Sequence, residues 1–142
     1  MQVVAWCPPT YPMIKVNVDG AWKGNPLEVE AEAIFEGLKL AASSGHRNVV
    51  LENDCKNVMD IIQKRNLKGL WKIIPIVEEI RRHACLFSSL HWKWTPRSAN
   101  KAAHAAASLA IQRVCSSEWD SVPPPSLVDV LSRDGLPCPP SV

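Results

Sequence analysis

Three acidic residues lie at positions from which their side chains could bind metal together. Asp19 ends an alternating run of apolar residues, Glu30 lies in a stretch with helical periodicity, and Asp54 follows a second apolar run. Clustered carboxylates offer the hard oxygen ligands that Mg²⁺ accepts while it keeps several waters. Two such ions could activate an attacking water and stabilise the leaving oxygen of a phosphodiester. The acids therefore predict a two-metal hydrolytic site, with all three as metal ligands and catalytic residues.

Each acid also has an ordinary structural explanation. Asp19 could be a turn residue, Asp54 could cap the next helix, and Glu30 could be a solvated helix residue. Taken one at a time, these explanations are the better ones. The joint placement of the three acids, together with the family resemblance described below, favours the metal site.

Two predicted strands bring Asp19 and Asp54 together. Apolar and polar residues alternate from Ile14 to Val18, which is typical of a strand with one apolar face, and Asp19-Gly20 is a turn signal. The apolar run Val49–Leu51 predicts a short buried strand that leads into Asp54. Because the functional crevice of a parallel α/β sheet lies beyond the carboxyl ends of its strands, the two aspartates should converge there.

A predicted helix between these strands presents Glu30 to the sheet. Helical spacing starts at Leu27, and Gly45 is a typical residue just beyond a helix end. Glu32 falls on the outer face with Glu36. A carboxylate on the inner face needs compensation, and a metal ion would supply it. Glu30 shares its face with the apolar residues Ala33, Ile34, Gly37, Leu38 and Ala41.

The remaining pattern completes an α/β domain. A helix follows Asp54 through Val58–Ile62, and a third helix is predicted over Leu70–Leu86, with Pro75 in its first turn. Leu90–Trp94 alternates like a strand, and an alanine-rich helix spans Asn100–Val114. This order predicts an α/β domain with a mostly parallel sheet of about three strands flanked by helices.

Length and composition suit one compact domain. The chain has 142 residues, of which 46% are apolar, and a formal net charge of +2, so a nucleic-acid site must come from local patches. Prolines crowd both ends, which predicts a Pro-rich extension over residues 1–12, a domain over 13–115 and a Pro-rich tail over 116–142. No long apolar run and no secretory start are present, and the five cysteines are widely spaced. We therefore expect a soluble intracellular protein with reduced thiols.

Five stretches, in order, resemble the plant ribonuclease H-like domains related to the ribonuclease H modules of reverse transcriptases. The resemblance implies a ribonuclease H-like fold, binding of nucleic acid, and endonucleolytic cleavage of RNA in RNA–DNA hybrids with Mg²⁺ or Mn²⁺. It also implies that Asp19, Glu30 and Asp54 are the metal-binding acids. The stretches are Lys15–Ala21, Glu30–Ile34 with Glu36–Ala41, Leu51–Cys55, Thr95–Asn100 with Ala103-His104, and Trp119 with Pro123–Pro125.

His104 stands where the resembled family usually has a fourth acid, aspartate. As a counterpart of that acid, His104 is predicted to be catalytic. Imidazole suits Mn²⁺ better than Mg²⁺, so we expect any activity to be higher with Mn²⁺. The alternative is a partly buried residue on the alanine-rich helix face.

A second departure lies between Ala21 and Glu30. In the resembled family this interval is longer and holds a glycine-rich hairpin, so the second and third strands should be missing here. The first strand would then be an edge with unpaired backbone groups. Either something covers that edge, for instance a strand of another chain, or the domain is poorly stable.

Basic and aromatic residues near the last strand could contact substrate. Phosphates are the predicted partners of Lys93, Arg97, Asn100 and Lys101, with His91 nearby. For Lys93 and Arg97, plain solvated charge is an equal alternative. The alternation around Trp92 and Trp94 favours core packing over base stacking.

Two other functional outcomes stay open at this stage. Because the truncation removes part of the framework around the acids, the chain could be a catalytically inactive ribonuclease H-like remnant that binds nucleic acid or protein. It could also be a truncated product that does not fold alone.

Overall fold

The computed structural model describes residues 4–20, 25–64 and 71–113. Within these ranges three strands alternate with four α-helices and one short 3₁₀ helix, in the predicted order. The predicted fold class is confirmed. The elements are β1 (Ile14–Asn17), α1 (Pro26–Ser43), β2 (Asn48–Asn53), α2 (Lys56–Lys64), α3 (Ile74–Ala84), β3 (Ser89–Trp94), the 3₁₀ helix (Arg97–Ala99) and α4 (Lys101–Arg113).

The three strands form one sheet in the order β1-β2-β3, and both pairings are parallel. Val16 lies opposite Leu51, which in turn lies opposite Trp92. Parallel neighbours need long crossovers, which α1 supplies between β1 and β2 and the α2–α3 pair supplies between β2 and β3. All three strands therefore end at one edge of the sheet, where Asp19 and Asp54 follow them.

Helix α1 packs on the sheet and on α3 through a stripe of small and aliphatic residues. Gly37 allows the closest approach, because a Cβ there would lie 2.6 Å from a Val18 methyl carbon. The predicted inner face is confirmed except that Ala33 is half-buried and Ala31 is fully buried. The buried residues of α1 are Ala31, Ile34, Gly37, Leu38 and Ala41.

Local sequence signals fix the ends of α1. The Asn25 side chain accepts hydrogen bonds from the Leu27 and Glu28 amides, and Pro26 occupies the first turn, where its missing N–H costs nothing. Gly45, just past the C-terminus, has a φ of 84°, which glycine adopts without steric cost. Its predicted role as a helix stop agrees with this conformation.

Two other helices differ slightly from the prediction. Helix α3 begins at Ile74 rather than near Leu70, because Trp71–Ile73 form a turn and Pro75 then occupies the first helical turn. Helix α4 covers Lys101–Arg113 instead of Asn100–Val114. Leu70, Val114 and the Pro-rich tail lie outside the described residues, so the domain boundaries stay predictions.

In the described part of the chain, β1 is an edge strand and no strand lies between β1 and α1. Residues of the N-terminal extension contact this strand: the Trp6 indole N–H donates to Asn17 Oδ1 at 2.8 Å. The Lys15 ammonium donates to the Cys7 carbonyl and lies 5.2 Å from the centre of the Trp6 ring. The extension therefore covers part of the β1 face on which Lys15 and Asn17 lie.

Among the described helices, none combines the length and apolar character that crossing a membrane requires.

Candidate metal centre

The three predicted acids come together beyond the carboxyl ends of β1 and β2. Asp19, Glu30 and Asp54 each offer one carboxylate oxygen, and these oxygens lie within 4.8 Å of one another. Oxygens bound to one Mg²⁺ at about 2.1 Å can be at most about 4.2 Å apart, so small side-chain rotations would let all three share an ion. The donor set, three carboxylates with an imidazole beside them, suits Mg²⁺ or Mn²⁺.

Asp19 is positioned by hydrogen bonds to the residue before it. The Val18 amide donates to the Glu52 carbonyl at 3.1 Å, and the Val18 carbonyl accepts from the side-chain amides of Asn53 and Asn100, both at 3.0 Å. The Asp19 side chain is buried, and its Oδ2 lies 2.8 Å from Nδ1 of His104. Residues from β2 and the start of α4 thus fix the end of β1.

Glu30 reaches the site from the second turn of α1. Its Oε2 accepts hydrogen bonds from the Asn53 side-chain amide at 2.8 Å and from the Gly20 amide at 3.1 Å. Gly20 permits this approach, because a Cβ there would lie 2.6 Å from a Val29 methyl carbon and 3.2 Å from the Glu30 carboxyl carbon. The predicted inward direction of Glu30 is therefore confirmed.

Burial raises the pKa of Glu30 above its ordinary value. The hydrogen bonds from the Asn53 side chain and the Gly20 amide lower the pKa and so oppose this shift. The negative charges of Asp19 and Asp54 raise the pKa further. A desolvated carboxyl group beside two others is costly to ionise without a cation. A divalent ion at this point would remove that cost.

Asp54 follows β2 directly and has two contacts with the segment after β3. Its Oδ2 accepts from Nε of Arg97 at 3.1 Å, and its backbone carbonyl accepts from the Trp94 indole N–H at 3.1 Å. The turn before α2 is held by Asn53, whose side-chain oxygen accepts from the Cys55 amide at 2.7 Å. Asn53 therefore makes the local turn contact, and the Asp54 carboxylate faces the other two acids.

One buried acid escaped the sequence reasoning. Glu52 is 2% exposed, and its carboxylate lies 3.4 Å from the Lys15 ammonium and 3.6 Å from that of Lys93. The Asn17 side chain donates to the same carboxylate at 2.9 Å and to Asn100 Oδ1 at 3.0 Å. The strand register would have predicted these contacts, because Asn17 and Lys93 are the direct neighbours of Glu52 across the sheet.

The predicted substrate residues fall into two groups. Lys93, Arg97 and Lys101 are exposed, and Arg97 contacts Asp54, whereas Asn100 is buried. The Asn100 side chain bonds Val18 and Asn17, so it positions β1 and does not face solvent as a phosphate contact requires.

The structure differs from the prediction for Trp94 and from the alternative given for His104. Trp92 is half-buried against the core, as predicted, but Trp94 is 46% exposed, so core packing was wrong for it. Trp94 is the last residue of β3, and its indole N–H donates to the Asp54 carbonyl. His104 is exposed and not partly buried, and it faces Asp19.

Comparison with known proteins gives a consistent result. A family model described as "Reverse transcriptase-like" matches residues 17–110. The protein EbsB of Enterococcus faecalis, which is named as a hydrolase, is 28% identical over 130 residues, a match that takes in 71% of this chain and 96% of EbsB.

Two solved structures share the fold. RNase H1 of the halophilic archaeon Halobacterium salinarum superposes with a TM-score of 0.60 at 20% identity, covering 63% of this chain and 68% of that one. The N-terminal RNase H domain of Rv2228c from Mycobacterium tuberculosis, solved as a fusion with maltose-binding protein, gives a TM-score of 0.56 at 20% identity, covering 65% of this chain and 69% of that one. Because this family model spans most of the described residues, the chain belongs to the reverse transcriptase-like family, and its fold is the one seen in these two ribonuclease H structures.

Proposed function

We propose that this chain binds nucleic acid and hydrolyses the RNA strand of RNA–DNA hybrids by metal-dependent endonucleolytic cleavage. The observation that carries the proposal is the convergence of Asp19, Glu30 and Asp54, whose carboxylate oxygens lie within 4.8 Å of one another. Family membership supports the proposal. The relatives also support it, because the two solved structures are named as ribonucleases H and EbsB is named as a hydrolase.

Asp19, Glu30 and Asp54 would hold Mg²⁺ or Mn²⁺ in this proposal. When bound, the ions supply an activated water and stabilise the leaving oxygen of the phosphodiester. The chain's own residues would hold these ligands in position. The Asn53 side-chain amide donates to Glu30, and the His104 ring forms a hydrogen bond with Asp19. His104 is an auxiliary catalytic residue in this proposal, next to the ligand Asp19.

The choice of metal follows from His104. Imidazole beside a ligand set favours Mn²⁺ over Mg²⁺. We therefore expect higher cleavage activity with Mn²⁺ than with Mg²⁺ in parallel titrations. Equal or greater activity with Mg²⁺ would contradict the proposed role of His104 beside the metal site.

Nucleic-acid contacts would come from the exposed surface around the end of β3. Lys93, Arg97 and Lys101 offer positive charge, and Trp94 offers an exposed ring whose N–H is held by the Asp54 carbonyl. Contacts to phosphates and to 2′-hydroxyl groups carry little base information. The protein is thus expected to cut hybrids with little sequence preference.

A hybrid-cleavage assay tests the proposal. Purified full-length protein is incubated with an end-labelled RNA–DNA hybrid and Mn²⁺ or Mg²⁺, beside Asp19→Asn and Asp54→Asn. Glu36→Gln is the matched control, since Glu36 lies on α1 but is exposed and paired with Lys39. Cleavage by the parent and the control, abolished by both aspartate variants, supports the proposal. Cleavage that survives both aspartate variants contradicts it.

A second candidate function is an inactive domain that binds nucleic acid or protein. The edge position of β1 among the described strands favours it, because an edge can pair with a strand of another chain. Hybrid binding without cleavage in the same assay would support this candidate.

A further inference from the structure

We propose that Arg97 occupies the place of a cation at Asp54 in the metal-free protein and leaves Asp54 for a substrate phosphate once metal binds. The inference rests on the proposed function, because it assigns Asp54 to the metal. It also gives the order of binding: the metal binds first, and the Arg97 guanidinium then leaves Asp54 and binds the nucleic acid.

The contact between the two side chains is asymmetric. Nε of Arg97 donates to Oδ2 of Asp54 at 3.1 Å, yet the Asp54 side chain is 6% exposed and that of Arg97 is 68% exposed. The carboxylate is therefore held by the protein, while most of the guanidinium side chain lies in solvent. Arg97 can move away without disturbing the core, and Asp54 cannot.

The contact between Arg97 and Asp54 reduces the repulsion among the three acids. Three carboxylates within 4.8 Å repel one another when they are ionised. Arg97 offsets part of this repulsion at Asp54, and the His104 ring lies against Asp19. The nearby Lys93 ammonium lies 3.6 Å from Glu52, so its closest carboxylate is a different one.

A divalent ion and the Arg97 guanidinium would compete for the same carboxylate. Arg97 is the first residue of the short 3₁₀ helix. Two backbone hydrogen bonds hold this helix: the Ala99 amide donates to the Pro96 carbonyl, and the Asn100 amide donates to the Arg97 carbonyl. This anchor keeps the guanidinium near the site after it leaves Asp54. Its planar fork suits a phosphate, which binds it through two parallel hydrogen bonds.

The competition predicts opposite signs for two affinities. Replacing Arg97 removes a competitor at Asp54 and should tighten metal binding. The same replacement removes a phosphate partner and should weaken binding of the hybrid. A residue that merely stabilised the fold, or merely held Asp54 in place, would weaken both.

The experiment titrates full-length protein with Mn²⁺ alone and follows the loss of the free-ion electron paramagnetic resonance signal. Arg97→Gln is compared with the parent, with R97K, and with the control R82Q, since Arg82 is 69% exposed and paired with Glu79 on α3. We expect R97Q to bind Mn²⁺ about two- to fivefold tighter, the size of one partly exposed ion pair. R97K, which keeps the charge, and R82Q should bind like the parent.

A second readout uses fluorescence anisotropy of a labelled RNA–DNA hybrid in Ca²⁺, with the strand shown to be intact on a gel. R97Q should bind the hybrid several-fold more weakly, whereas R82Q should not differ from the parent. Mn²⁺ binding by R97Q that equals or falls below that of the parent overturns this inference and leaves the proposed function standing. Absence of Mn²⁺ binding by the parent overturns the proposed function and the inference with it.

Discussion

The buried acid Glu52 and the cluster of three acids lie side by side at the same sheet, and their surroundings are opposite in character. Glu52 is surrounded by donors, with two lysine ammonium groups and the Asn17 amide around one buried carboxylate. Asp19, Glu30 and Asp54 face one another instead. The first arrangement satisfies a charge and ties β1, β2 and β3 together, and the second leaves a charge that a metal ion would satisfy. Separate changes to each group should therefore separate stability from function.

The largest effect is expected from Asp54→Asn. It keeps the size of the side chain but removes the charge that faces Glu30, so hybrid cleavage should fall by at least about 100-fold, as for loss of a strong electrostatic contribution to catalysis. The variant should stay folded, because the amide relieves repulsion within the acid cluster. Cleavage rates and melting temperatures of parent and variant in EDTA check both parts.

Glu52→Leu should show the reverse pattern. Breaking a buried ion pair leaves the Lys15 ammonium without its carboxylate partner and costs roughly 3 kcal/mol of unfolding free energy. At this chain length that would lower the melting temperature by about 10 °C. Lys93→Gln is the control, because the Lys93 side chain is mostly exposed and its removal should cost little. A Glu52 variant that melts like the parent would break the comparison.

Trp94→Ala is expected to have a smaller effect, on substrate affinity alone. An exposed ring packed on nucleic acid contributes enough that its loss should weaken hybrid binding about tenfold. Trp94→Phe keeps a ring but loses the N–H bond to Asp54, so it separates ring contact from anchoring. Trp71→Ala is the matched control, an exposed tryptophan before α3. Equal losses for both tryptophans would remove Trp94 from the proposed substrate surface.

The smallest effect concerns pH. The pKa of Glu30 is raised in the fold, so the fold favours its protonated form. The stability contributed by this group is complete below the pKa of the unfolded chain and is lost as the pH rises through the pKa of the folded protein. The melting temperature of the parent minus that of Glu30→Gln, in EDTA, should therefore fall over this interval. A difference that rises with pH would contradict the burial of Glu30 beside two carboxylates.

Periodicity and turn chemistry were enough to predict the element order and the inward direction of Glu30. The parallel sheet then followed from that order, and the convergence of Asp19 and Asp54 followed from the sheet. These properties depend on local pattern and on a general rule of α/β topology. Helical spacing predicted a start at Leu27 for α1 and at Leu70 for α3, within a few residues of the observed starts at Pro26 and Ile74.

The sequence reasoning failed where side chains meet across the sheet. Glu52 and Asn53 follow an apolar run, and nothing local shows that one meets two lysines and the other bonds Glu30. Trp94 alternates like Trp92, but it is the last residue of the strand and is exposed. The contact of Trp6 with Asn17 could not be predicted from the sequence either, because it joins an irregular segment to one face of a strand.

The most direct test is a crystal structure of the full chain soaked in Mn²⁺, with data collected at the manganese absorption edge. The account predicts an anomalous peak bound by the carboxylates of Asp19, Glu30 and Asp54. An empty cluster at a Mn²⁺ concentration that saturates the protein in solution, or a peak bound elsewhere, would contradict it.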